Sequence, residues 1–144
     1  EAFGLWDGGE LVAVMCMKWR TASEVELVRY ATSAIVRGGH SRLLKYAIAQ
    51  MGPRRVVTFA DRAVSDGGLY EKCGFVADSD LRPDYTYYFG GERVHKFAFR
   101  LKRFRNDPAL VWDESWTEEQ AAAENKIPRI WDYGKTRYVL DIPA

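Results

Sequence analysis

Apolar residues recur along this chain with two periods, and the switches between them mark out the elements. Phe3–Trp6 and Glu10–Lys18 read as strands joined by Asp7-Gly8-Gly9, a sequence suited to a tight hairpin turn. Glu24–Ala31 alternates well enough for a third strand. From Ser41 to Met51 the period becomes helical: Leu43, Leu44, Ala47, Ile48 and Met51 share a face, and Gly52-Pro53 stops the helix. Arg55–Ala60 is a short apolar run of the kind that forms a central strand covered on both faces. Gly68–Cys73 predicts a short helix, with Gly74 as its left-handed cap. Tyr85–Phe89 and Arg93–Leu101 flank Gly90-Gly91 as a further hairpin. Thr117–Asn125 is Ala/Glu-rich, and Thr117 with Gln120 resembles a capping box. Arg129–Tyr133 and Thr136–Leu140 predict a last hairpin around Gly134-Lys135.

The order is α+β. Asn106-Asp107-Pro108 is the best internal boundary, dividing a core (1–105) from a C-terminal helix and hairpin appendage (106–144) packed on it. Trp112, Trp116 and Trp131 are expected to fix the appendage to the core. At 144 residues the chain is long enough for a substantial core, burying roughly two-thirds of its unfolded surface. Cys16 and Cys73 lack CxxC spacing, so neither a zinc site nor a disulfide framework is indicated. No apolar run approaches the ~18 residues of a membrane span. The chain starts at Glu1 without Met, as a domain cut from a longer protein would.

Charge changes the picture more than composition does. A net charge of +1 conceals a stretch from Arg93 to Arg105 with six Lys/Arg and no acid, followed from Asp113 to Lys126 by five acids and one Lys. In the basic stretch Lys96, Arg100, Lys102, Arg103 and Arg105 interleave with Phe97, Phe99 and Phe104. Cations and aromatics together suit phosphate contact plus base stacking, or equally a cation-guarded strand edge. His95 falls within this stretch as a structural or phosphate-facing residue.

The strongest candidate chemistry lies between Val36 and Phe75. Arg37-Gly38-Gly39-His40-Ser41-Arg42 opens a helix, where unpaired N–H groups and the helix dipole stabilise an anion and two guanidinium groups add donors. The turn is neither a Walker loop nor a dinucleotide fingerprint. His40 reads as a solvated loop histidine or a ligand contact. Asp61 closes a strand, where it can orient an amine or simply cap a turn. Arg29 shares its expected face with Val25, Leu27 and Ala31 and so requires an anionic partner. Glu24 and Glu26 are candidate bases acting through water. Tyr70 is a placed phenol, able to donate a proton.

Ser65-Asp66-Gly67-Gly68-Leu69-Tyr70-Glu71-Lys72-Cys73-Gly74-Phe75 resembles the late motif of the Gcn5-related N-acetyltransferase (GNAT) superfamily. The Arg37–Arg42 turn resembles that superfamily's pyrophosphate loop, with adjacent glycines where the superfamily spaces them. The resemblance implies a mixed, mostly antiparallel sheet flanked by helices and acetyl-CoA or a related acyl donor along Arg37–Arg42. It further implies Tyr70 as the acid that protonates the departing thiolate. Glu26-Leu27-Val28-Arg29, Gly38-Gly39-His40-Ser41, Thr58-Phe59-Ala60-Asp61 and Gly68-Leu69-Tyr70 are together similar to the Mom family of phage DNA-modification proteins. The core, with Arg129–Gly134, also resembles a domain found behind nuclease segments of phage homing-endonuclease-like proteins. These resemblances imply a phage-encoded protein in the host cytoplasm, acting on DNA, that acylates a nucleobase amine (adenine first). Tyr70 and Asp61 would be catalytic, and Arg29 and the basic stretch would contact DNA. Two alternatives stand beside this: a non-catalytic DNA-docking domain, and an acetyl-CoA-dependent N-acetyltransferase for a small amine or protein. No metal cluster is expected.

Overall fold

A computed structural model describes residues 1–143. The chain forms two units, one made of Glu1–Leu81 with Lys135–Ala144 and the other of Arg82–Gly134. Among the described residues, no helix is long and apolar enough to cross a membrane.

The first unit is a mixed α+β fold. Strands β1 (Ala2–Asp7), β2 (Glu10–Trp19), β3 (Glu24–Thr32), β4 (Arg55–Asp61), β5 (Val76–Leu81) and β9 (Lys135–Asp141) make one sheet in the order β1-β2-β3-β4-β9-β5. Every pair is antiparallel except β3 and β4, which are joined by the crossover helix α1 (Gly39–Met51). Gly8 and Gly9 both take positive φ (55° and 88°), as the β1–β2 turn requires. Leu43, Leu44 and Ala47 of α1 pack on Ala13, Met15, Met17, Val25, Leu27, Val56 and Ala60, with Phe75 and Tyr138 closing the cluster. The helix ends at Gly52 (φ 64°), whose N–H bonds the Ile48 carbonyl.

Short helix α2 (Gly68–Lys72) follows β4. Gly74 N–H bonds the Glu71 carbonyl and Phe75 N–H the Tyr70 carbonyl, with Gly74 at φ 89°. That pattern is a Schellman cap, and it delivers Phe75 into the core. Gly67, before the helix, has φ 83°, and a Cβ there would run into the Tyr138 ring. The Tyr138 hydroxyl donates to the Asp66 carbonyl (3.2 Å) and lies 3.4 Å from Glu71 Oε1. Tyr138 thus seats α2 against the sheet.

The second unit has its own sheet, β7-β6-β8, from β6 (Tyr85–Phe89), β7 (Glu92–His95) and β8 (Arg129–Trp131). Its core gathers Tyr87, Phe99, Phe104, Ala121, Ala122 and Ile127, with Trp112 and Trp116 packed against them. The Tyr87 hydroxyl donates to Glu118 Oε1 at 3.1 Å, and burial first, then nearby Tyr85 and Glu118, pushes its pKa up. Helix α4 (Glu118–Glu124) starts at the expected capping box of Thr117 and Gln120.

Three expectations change here. β8 and β9 are not a hairpin: β8 pairs with β6, while β9 runs between β4 and β5, where Tyr138 and Val139, on opposite faces of the strand, are both buried. The basic stretch leaves its strand at His95. His95 Nδ1 accepts from Phe97 N–H (3.3 Å) to cap a 3₁₀ turn at Lys96–Phe99, and helix α3 (Leu101–Asn106) follows. The division placed after Arg105 falls inside the second unit, since Phe99 and Phe104 share a core with Ala121 and Ala122. Trp112 and Trp116 belong to that core, and Trp131 is 55% exposed.

Gly67→Ala should lower stability by about 2 kcal/mol or more, from a left-handed backbone plus the clash with Tyr138. Gly8→Ala, with a similar φ but open space around it, should cost less. Chemical denaturation of both variants checks the order, and an equal loss would show that Tyr138 does not constrain the turn.

Candidate active site

β3 and β4 are hydrogen-bonded only at their beginnings. Register runs Glu24–Arg55, Val25–Val56 and Glu26–Val57, and no further pair follows among the described residues. At the next level the buried Thr58 hydroxyl donates to the Leu27 carbonyl at 3.0 Å, satisfying a group the ladder has left. β3 carries a bulge at the same level: Cys16 pairs with Arg29 and Met17 with Leu27, leaving Val28 as the extra residue. Beyond it, β3 remains bonded to β2, and β4 to β9. Their facing edges therefore part toward the carboxyl ends, the end of parallel strands where α/β folds hold ligands.

The bulge corrects the reading of Arg29. Val25 and Leu27 face inward, but after the extra residue the inward position is Tyr30. Arg29 is exposed and needs no buried partner. Glu24 and Glu26 engage cations instead, with Arg20 at 3.5 and 3.9 Å and Arg137 at 3.7 Å from Glu24.

The chain leaves β3 and enters α1 through the glycine turn. Gly38 is the N-cap at φ 68°, no side chain caps the helix, and its first turn holds no acid. Gly39 N–H bonds the Val36 carbonyl and Ser41 Oγ donates to the Gly38 carbonyl (3.1 Å), so among the described residues the N–H groups of His40 and Ser41 lack partners. A Cβ on Gly39 would lie 2.6 Å from Tyr30 Oη and 2.8 Å from Val36 Cγ1, so the turn is packed hard against β3. Arg37 and Arg42 are exposed, and neither forms an ion pair among the described residues. Two free donors, a 13-residue helix dipole and two free guanidinium groups are what an anion site requires, and make this the candidate one.

His40 is not a solvated loop residue: it is 4% exposed. Its Nδ1 lies 3.2 Å from Cys73 Sγ, and its ring meets Tyr30 edge-on (centroids 4.9 Å) and Tyr70 (5.9 Å). Its Nε2 is buried without a partner among the described residues. Burial lowers the imidazole pKa and raises that of the Cys73 thiol. The spacing holds the clue, because His40 continues the Leu43, Leu44, Ala47 face by one turn. A cavity of about 280 Å³ opens here, lined by Tyr30, Gly38, Gly39, His40, Lys72 and Cys73 among others.

Tyr70 lies half-buried on α2, its ring 5.5 Å from Tyr138 and 5.8 Å from Phe75. The structure thus brings Tyr70 together with His40 and the glycine turn. Asp61 serves the backbone instead. Its Oδ1 accepts from Ala63 N–H (2.9 Å) and its carbonyl from Ser65 N–H, so it caps the turn after β4. Among the described residues no hydrogen bond links it to Tyr70 or His40, and no cluster of His, Cys, Asp or Glu could hold a metal.

In the second unit most of the basic stretch is paired. Lys96 sits 2.7 Å from Asp84, Arg105 2.8 Å from Glu114, Arg103 3.8 Å from Asp107 and Arg100 3.9 Å from Glu118. Lys102 has no such partner among the described residues. Arg100 lies over the exposed Phe97 ring at 4.4 Å, and Phe97, Arg100, Lys102 and Arg103 line a groove of about 670 Å³.

No protein-family model and no curated protein matches the chain. Solved structures do. An acetyltransferase of Bacillus subtilis in complex with CoA has a TM-score of 0.56 at 19% identity, over 99% of this chain and 76% of its own. A GNAT family acetyltransferase of Elizabethkingia anophelis with acetyl-CoA bound has 0.55 at 12% identity (98% and 75%). The ribosomal-protein-S18-alanine N-acetyltransferase of Escherichia coli has 0.57 at 15% identity (100% and 70%). At these identities the likeness is one of fold, and the fold is that of the GNAT acetyltransferases.

Because burial lowers the His40 pKa below 6.5, the unfolded chain takes up this proton first as pH falls. Stability tied to His40 is complete above that pH and is lost below it. Urea midpoints at about pH 7.5 and about pH 5.5 should therefore fall further for the native chain than for His40→Gln. Equal falls would show that His40 titrates as a solvated residue.

Proposed function

We propose that the chain is an acyltransferase that passes an acyl group from a CoA thioester to an amine, and that the amine belongs to a nucleobase in DNA. One observation carries the donor half: β3 and β4 part, and β3 leads into a glycine-opened, uncapped helix whose His40 ring meets the Tyr70 ring (centroids 5.9 Å). Phosphates of the donor would be held by the His40 and Ser41 N–H groups with Arg37 and Arg42. The N–H and C=O groups along the open edges of β3 and β4 would meet the amide-bearing arm of the donor.

In the reaction the amine nitrogen attacks the thioester carbonyl, so a C–N bond forms and the C–S bond breaks. Tyr70 gives its hydroxyl proton to the departing thiolate, and the proton lost by the amine goes to water. Asp61, engaged with its own turn, has no part in this scheme. The nucleobase acceptor rests on the resemblance of Glu26–Arg29 and Gly38–Ser41 to the Mom family. Two features agree with it: Arg29 stands exposed on β3, and the second unit's groove combines Lys102 and Arg100 with an exposed aromatic face. Stacking on Phe97 and phosphate contact from Lys102 would suit DNA. A docking domain without catalysis would use that groove equally but gives no use to an uncapped helix and an orphaned buried imidazole.

Tyr70→Phe should reduce turnover about 10²-fold while CoA still raises the melting temperature; unchanged turnover removes Tyr70 as the acid. Mass analysis of nucleosides from DNA of cells expressing the protein should show an acylated base. Unmodified nucleosides, with small amines acylated in vitro, would replace DNA by a small-amine acceptor. Arg100→Ala with Lys102→Ala should weaken DNA binding and flatten its salt dependence by about one unit of slope for each phosphate no longer neutralised. Unaltered affinity would remove this groove from the DNA-contact surface.

A further inference from the structure

Cys73 plays no part in acyl transfer, yet it stands in the donor site. It forms the C-cap of α2, one turn after Tyr70, and its Sγ lies 3.2 Å from His40 Nδ1. It lines the 280 Å³ cavity at the head of α1, and also a second cavity of about 290 Å³ formed with Leu44, Lys45 and Ile48; Ser41 and Lys72 line both. Cys73 is thus shared by two spaces of small-molecule size. Beside it, His40, 4% exposed and lining the same cavity, keeps a buried Nε2 with no partner among the described residues, a polar group that the fold itself does not satisfy.

We propose that Cys73 is a thiol switch on the donor site: it forms a mixed disulfide with an anionic low-molecular-weight disulfide of the glutathione class, and this adduct excludes the donor. The inference rests on the donor reading of the same cavity. The recognition chemistry is the one that would hold the donor, because Arg37, Arg42, Lys72 and the free N–H groups of α1 attract carboxylates as they attract phosphates. In the step, Cys73 Sγ attacks one sulfur of the disulfide while its proton moves to His40 Nδ1. The new S–S bond forms as the old one breaks, and the departing glutathione thiolate takes the proton from His40. Cys73 is oxidised and one glutathione half is reduced, so the exchange balances without another reactant. Burial keeps Cys73 protonated and His40 neutral, so the thiol reacts through His40 when a disulfide is seated and otherwise stays inert. An adduct in this cavity occupies the head of α1 and displaces any anion there.

Cys16, the other free cysteine, is an internal reference. The full chain is incubated with oxidised glutathione, with and without desulfo-CoA, which keeps the donor's phosphates but has no thiol. Peptide mass mapping follows each cysteine. Desulfo-CoA at ten times its Kd should slow modification of Cys73 about tenfold and leave Cys16 unchanged. The modified protein should lose the thermal stabilisation given by desulfo-CoA, and dithiothreitol should restore it. His40→Gln, checked for folding by thermal melting, should lower the Cys73 rate on the order of 10²-fold, and Cys73→Ser should bind desulfo-CoA with or without oxidised glutathione. If Cys73 fails to react, reacts equally with desulfo-CoA present, or is modified without loss of binding, the switch is refuted and the donor reading stands. If desulfo-CoA does not stabilise the reduced protein, the donor reading falls and the switch falls with it.

Discussion

The structure turns on the parting of two parallel strands. β3 and β4 pair through Glu26 and Val57 and then separate, and each device needed for that separation is local. The Thr58 hydroxyl takes over the Leu27 carbonyl, so the last buried group of the ladder is not orphaned. The bulge at Val28 turns β3 just where the pairing ends. The sheet survives because each strand keeps its other neighbour, β2 on one side and β9 on the other. What is left is a wedge with unpaired backbone on both walls, with the uncapped head of α1 at the end of one strand and α2 following the other. The proposed donor, extended, amide-bearing and phosphate-ended, would use both walls of such a wedge.

Tyr138 and the glycines fix the helices that flank that wedge. Gly67 leaves room for the Tyr138 ring, whose hydroxyl binds the start of α2, and the Schellman cap at Gly74 fixes its end. Tyr70 is held between these two points and cannot slide along the sheet. Gly39 does the same for α1 by admitting Tyr30 and Val36. β9 matters most here, since it enters between β4 and β5 only after the second unit has been traversed. Leu81 and Lys135, the ends of that excursion, are paired across β5 and β9. A chain leaving and returning at neighbouring points can host an inserted unit without disturbing the sheet. The wide sequence separation of the paired Arg55 and Asp141 makes the sheet's completion a non-local pairing, of the kind that slows folding.

Much of this is legible in the residues. Gly8-Gly9 and Gly90-Gly91 specify their hairpins, the Leu43–Met51 spacing specifies α1, and Arg37–Arg42 with Tyr70 fall on the elements of the proposed site. What stays hidden has physical causes. β5 carries Asp78, Ser79 and Asp80 and is exposed throughout, so it has no alternation to read. Arg29 reads onto the wrong face because a bulge shifts a period of two without leaving a mark in composition. Arg93–Leu101 reads as a strand, but from Lys96 the chain turns into a 3₁₀ turn and a helix that bury Phe99 and Phe104 in the second unit's core, where tertiary packing overrides local pattern. His40 is readable from its place on the α1 face only when the imidazole is counted with the apolar residues.

Binding of one CoA-type donor molecule by the head of α1 and the open edge of β3, as proposed, can be followed through the backbone amide resonances of the labelled chain while CoA is added. The His40 and Ser41 amides and those of Arg29–Ala31 should shift together with a single affinity, while amides of the β1–β2 hairpin stay in place. Shifts confined to exposed lysines and arginines, or none at His40 and Ser41 at millimolar CoA, would contradict it.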